Sequence, residues 1–234
     1  MPDKLNGQTS SELLEVGNNY FRAKDFQKAI KFYENVVKLD PQNCVAWSNM
    51  AVAYENLEDY EKEVECCLKA IEVDPRDSWV WYNLGVGYGK LGNYLKAIES
   101  YVQGLKIDPT DKTSFFNLGL MYTKLGNYIN AIEAWEKALE IDPKDIKILF
   151  NIALAYTKLA NDKKAIEIYE KIIHIDPEHI KARNKIGMAH LNLENVKSAI
   201  EAFKKVLKID PKNGFALNSL KRIKQHYKSA NIDI

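Results

Sequence analysis

Large apolar residues recur along this chain at spacings of three and four, and the whole pattern returns every 34 residues. Counted from Ser10, Cys44, Ser78, Lys112, Ile146 and Ile180, positions 4, 7 and 11 of each unit carry large side chains, as in Trp81, Leu84 and Tyr88. That spacing places them on one face of a helix, helix A. A second stripe follows in each unit, for example Ala97, Tyr101 and Gly104, or Ala131, Trp135 and Ala138, and predicts a helix B. Position 8 reads Gly17, Ala51, Gly85, Gly119, Ala153, Gly187, and position 20 reads Ala29, Glu63, Ala97, Ala131, Ala165, Ala199. Small side chains there let helices A and B approach closely.

Breaks between the stripes are equally regular. Gly92-Asn93, Gly126-Asn127, Ala160-Asn161 and Glu194-Asn195 separate helix A from helix B, and glycine and asparagine tolerate the left-handed backbone such a turn requires. Asp-Pro pairs ending at Pro41, Pro75, Pro109, Pro143, Pro177 and Pro211 close helix B, because proline brings no N–H and disfavours a helical residue before it. Asn43, Asp77, Asp111, Asp145 and Asn213 then suit the N-cap of the next helix. The expected organisation is a flexible segment 1–9 and six units at 10–43, 44–77, 78–111, 112–145, 146–179 and 180–213. A capping helix and tail follow at 214–234, where Phe215, Leu217, Leu220 and Ile223 keep helical spacing among Lys221, Arg222, Lys224 and Lys228.

Trp81, Leu84, Gly85, Tyr88, Ala97, Tyr101 and Pro109 together resemble the signature of the tetratricopeptide repeat, and the match recurs in register over about residues 10–213. The resemblance implies an all-α fold, an α-solenoid of antiparallel helix pairs wound into a right-handed superhelix, with the A helices lining a concave groove. Four positions depart from the pattern: Glu63 at position 20, Cys67 at position 24, Arg183 at position 4 and His190 at position 11. A carboxylate where close packing is needed must be paired, hydrated or tilted outward, so Glu63 marks a local adjustment of the second unit.

In this family the groove uses positions 2, 5, 6, 9, 12 and 13 of helix A. Position 6 gives Asn49, Asn83, Asn117 and Asn151 in four consecutive units, and a row of carboxamides can bond the backbone of an extended peptide whatever its side chains. Position 5 adds Tyr82, Phe116 and Phe150, position 9 adds Val86, Leu120 and Leu154, and position 2 adds Trp79. Position 13 supplies Lys90, Lys124 and Lys158. The implied partner is a protein or peptide, extended, with apolar and some acidic side chains, held from the second to the fifth unit. Packing between neighbouring A helices is the competing account of position 5. A clamp for a C-terminal carboxylate is disfavoured, since Leu14 replaces its first lysine and Trp79 and Asn83 its last basic pair.

Composition narrows the alternatives. Lysine and arginine number 33 against 32 acids, so the total charge demands neither nucleic acid nor an anionic membrane. No stretch approaches the roughly 20 apolar residues that cross a bilayer, and the N-terminal sequence lacks the basic start and apolar run of a secretory signal, which favours the cytoplasm. Cys44, Cys66 and Cys67 are odd in number and confined to one unit, which fits a reducing compartment better than a disulfide framework. No two of His174, His179, His190 and His226 stand four apart, and no phosphate loop or nucleophile elbow occurs. The sequence therefore points to a non-enzymatic scaffold or adaptor without a cofactor or metal. Self-assembly into a homo-oligomer, or service as an accessory subunit presenting substrate to an enzyme on another chain, are the alternatives.

Overall fold

A computed structural model describes residues 7–226; parts of the 1–9 segment and of the 214–234 tail lie outside the described residues. Every regular element among the described residues is a helix, and the protein is an all-α solenoid of helix pairs. In order these are α1 (Ser10–Arg22), α2 (Phe26–Leu39), α3 (Cys44–Asn56), α4 (Tyr60–Val73), α5 (Ser78–Lys90), α6 (Tyr94–Ile107), α7 (Lys112–Lys124), α8 (Tyr128–Ile141), α9 (Ile146–Lys158), α10 (Asp162–Ile175), α11 (Ile180–Asn192), α12 (Val196–Ile209) and α13 (Gly214–His226). Two compact units divide the chain after Leu125, the first holding α1–α7 and the second α8–α13.

Within each unit a helix packs chiefly on its neighbours in sequence, as α5 does on α4 and α6. Glycine at position 8 makes the closest of these approaches possible: a methyl group on Gly85 would sit 2.6 Å from Cε1 of Tyr101, and one on Gly187 would sit 2.6 Å from Cε1 of Phe203. Tyr33, Tyr101 and Phe203 are thereby buried against helix A backbones as the anchors of their pairs.

Local signals set the helix ends. Thr9 opens α1 with a capping box, its hydroxyl accepting from the Glu12 N–H while the Glu12 carboxylate accepts from the Thr9 N–H at 2.8 Å. Asn43, Asp77, Asp111, Asp145 and Asn213 cap the following A helices and α13 through their side-chain oxygens. The A-to-B turns are left-handed, with φ of 77° at Gly92 and 72° at Gly126, but also 60° at Lys24, 59° at Glu58, 55° at Ala160 and 60° at Glu194. Four of these turns therefore carry a Cβ where glycine would be unstrained.

Position 4 gains a reason that periodicity does not supply. The indole N–H of Trp47 donates to the Pro41 carbonyl at 3.0 Å and that of Trp81 to the Pro75 carbonyl at 2.9 Å, tying helix A to the turn before it. Arg183 makes the same bond, its guanidinium donating to the Pro177 carbonyl at 2.6 and 3.1 Å. The departure at Arg183 is thus a substitution of one N–H donor for another.

Candidate interaction surface

The side chains assigned to a groove lie on α3, α5 and α7 in the first unit and on α9 in the second. On α5, Trp79 is 57% exposed and lies nearly parallel to the half-buried Tyr82, with ring centroids 5.3 Å apart and planes at 20°. Tyr82 is fixed from behind: its ring meets that of Tyr101 at 6.0 Å and its hydroxyl accepts from Nδ2 of Asn117 at 3.4 Å. Burial pushes the Tyr82 phenol above its ordinary range, so it stays a neutral donor and acceptor. Phe116, Val86 and Leu120 are half-buried, while Lys90 and Lys124 are exposed at the far ends of their helices. One face thus combines held aromatic rings with ammonium groups about 16 Å farther along the axis, the rise of eleven helical residues.

The four asparagines do not share one environment. Asn49 donates to Oδ1 of Asn18 at 2.9 Å, and the same oxygen accepts from the Tyr33 hydroxyl at 2.9 Å, so Asn49 ties α3 to the first helix pair. Asn83 is 2% exposed and its amide nitrogen has no hydrogen-bond partner. Asn117 holds Tyr82, and Asn151 donates back to the Lys147 carbonyl at 3.0 Å within its own helix. In the second unit Phe150 packs on Tyr169 at 5.5 Å and on His179 at 5.9 Å, leaving it half-buried beside the half-buried Leu154, with Lys158 exposed. Carboxamides and rings at positions 5 and 6 therefore serve the packing of helices as well as the face they border.

Glu63 is neither paired nor tilted outward. It is fully buried with both carboxylate oxygens unpartnered, and Gly87 on α5 supplies the space: a methyl group there would stand 3.1 Å from the Glu63 carboxyl carbon and 2.9 Å from Cγ2 of Val64. Burial, reinforced by Glu55 and opposed by Lys90, raises the acid to about 8, so it is mostly protonated at neutral pH. Cys66 and Cys67 lie beside it in α4, and burial pushes the Cys66 thiol up to about 12 and that of Cys67 well above its ordinary value, which makes both poor nucleophiles.

Other side chains carry roles that periodicity did not flag. His179 caps α11, its Nδ1 accepting from the Ala182 N–H at 3.1 Å, although imidazole is not among the favoured capping groups. On the outer surface Lys62 pairs with the capping Asp59 at 2.8 Å and lies 5.1 Å from the Tyr54 ring centre. Lys28 repeats this arrangement with Asp25 and Tyr20. No helix among the described residues is long and apolar enough to cross a membrane, and no cluster of metal-ligating side chains occurs among them.

Sequence profiles of the tetratricopeptide repeat match residues 11–43, 45–77 and 78–111, and that of the cytochrome c-type biogenesis protein H TPR domain matches 103–215. Human serine/threonine-protein phosphatase 5 is 42% identical over 45 residues, 19% of this chain and 9% of that protein; the rat protein matches to the same extent. The chain thus spans under a tenth of the length of these relatives. Among solved structures, YrrB, described as a TPR protein with an unusual peptide-binding site, superposes with a TM-score of 0.69 at 21% identity, covering 81% of this chain and 97% of that one. MamA gives 0.67 at 25% identity over 71% and 97%, and PilF of Pseudomonas aeruginosa gives 0.65 at 17% over 91% and 97%.

Proposed function

Since this chain belongs to the tetratricopeptide-repeat family, we propose that it is a non-enzymatic interaction scaffold that captures a partner protein or peptide on the A-helix face. The observation that carries the reading is the Trp79–Tyr82 stack: the Trp79 ring is more than half exposed and lies on Tyr82, which Tyr101 and Asn117 hold from behind. Rigid aromatic anchors lose little entropy on binding and supply most of the affinity of small interfaces. Phe116 and Leu120 extend the apolar strip, Lys90 and Lys124 give it a basic end, and Phe150, Leu154 and Lys158 repeat that composition on α9. Asn49, Asn117 and Asn151 contribute whichever oxygen or N–H their packing bonds leave over, whereas Asn83, 2% exposed, offers a partner no surface. Three free thiols, two of them buried, support a reducing compartment such as the cytoplasm.

Affinity capture from the native lysate tests this reading. Replacing Tyr82, Phe116 and Phe150 with alanine should remove a defined set of partners while far-ultraviolet circular dichroism stays helical; an unchanged set would sink the assignment. A second reading, self-association, is favoured by Phe215 and Leu217 on α13, 50% and 46% exposed. Light scattering over a concentration series separates it, because a mass that stays at one chain excludes it.

A further inference from the structure

Beside the stack, the first turn of α5 and the turn between α6 and α7 enclose a cleft of about 610 Å³, lined by Trp79, Tyr82, Asp108, Thr110, Asp111 and Lys112 among others. Trp79 is the only aromatic residue at position 2 of the six units; the others are Ser11, Val45, Thr113, Lys147 and Lys181. Its backbone is fixed by the Asp77 carboxylate, which accepts from the Trp79 N–H at 3.0 Å.

Both cleft carboxylates are held in place. Asp108 accepts from the Thr110 N–H at 2.9 Å and the Thr110 hydroxyl at 2.7 Å, and these bonds keep its acid below the ordinary range. Asp111 accepts from the Thr113 N–H at 2.9 Å and from the Ser114 hydroxyl. The positive end of the α7 dipole, about half a charge, reduces the field of Asp111 without reversing it. Two carboxylates against one ammonium leave the cleft net negative beside an exposed indole face. Anionic groups are repelled there, whereas a planar or compact cation gains from both the ring quadrupole and the carboxylates.

We propose that this cleft receives a cationic side chain of the partner, arginine or lysine, laid against Trp79 and facing Asp108 and Asp111. The proposal rests on the scaffold reading and sharpens it. A partner crossing α5 would present its cation at the Trp79 end and its acidic group at the Lys90 end, so the face fixes the direction in which a peptide lies as well as its apolar anchors.

The test needs no knowledge of the natural partner. The full chain, labelled with ¹⁵N, is titrated with N-acetyl-arginine methylamide, and in parallel with the norleucine and glutamate analogues, while the Trp79 indole N–H resonance is followed. The arginine probe should shift that resonance saturably, and 0.5 M salt should weaken it. Asp108→Asn with Asp111→Asn, which keeps both turn-forming oxygens, should weaken it by about fivefold or more. Equal shifts from norleucine, stronger binding of glutamate, or unchanged affinity in the double asparagine variant would each overturn the proposal. Partner capture by the Tyr82, Phe116 and Phe150 variant is read separately, so failure of this cation site leaves the scaffold reading standing, and the reverse.

Discussion

Glu63 shows how much one side chain can change the pH response of a repeat. Its carboxyl is raised from about 4.5 in an unfolded chain to about 8 by burial without a partner. Below pH 4.5 the acid is protonated in both states, and its full contribution to stability is present. Between pH 4.5 and 8 only the unfolded chain releases the proton, so stability falls as pH rises, by up to about 1.4 kcal/mol per pH unit, and levels off above 8. Glu63→Gln should flatten that fall in denaturant titrations from pH 5 to 8; an identical slope in the variant would remove Glu63 as its source. The left-handed turns give a simpler case. Ala160 holds φ at 55°, so Ala160→Gly relieves the Cβ strain at the cost of some unfolded-chain entropy, and should raise stability by about 0.5–1 kcal/mol in a thermal melt. At this scale the sequence marked Glu63 as a misfit, but only the neighbouring helix shows how it is tolerated, because Gly87 lies 24 residues away.

Three A helices also depend on the preceding turn, through a residue of their own core face. The N–H donors of Trp47, Trp81 and Arg183 clamp helix A to the preceding proline carbonyl, so the same joint is made by two chemistries. Arg183→Leu keeps the apolar volume seen at Leu13 and Leu149 but loses the bond, and should cost about 0.5–1.5 kcal/mol in urea unfolding. Arg183→Trp should recover most of that loss. Equal stabilities for the two variants would show that volume, and not the donor, is what position 4 requires. Element boundaries were legible because proline, asparagine and aspartate act on their immediate neighbours. His179 was not, since a histidine in a turn has no distinctive spacing and becomes a cap only when Nδ1 is turned toward the Ala182 N–H.

Within each of the two compact units, helices pack chiefly on those next to them in the chain, so a local change should be felt locally. Gly85→Ala drives a methyl group into Tyr101 and should destabilise α5 and α6 by on the order of 1–3 kcal/mol. Hydrogen exchange should then quicken in α3–α6 and remain near its original rate in α11–α13. Uniform acceleration would mean that the whole array opens as one cooperative body.

The chain by itself determined the helix pairs, their turns, the Asn and Asp caps of the A helices and the family, because these follow from a pattern repeated six times and from forces between near neighbours in sequence. Tertiary structure decided what those residues do once packed. It buried Asn83 and paired Asn49 with Asn18, it engaged Asn117 with Tyr82, and it left Trp79 exposed in a cleft shared with two carboxylates. The physical reason is distance: periodicity assigns a side chain to a face of its own helix, but exposure and hydrogen bonding depend on side chains of other helices, tens of residues away in the chain.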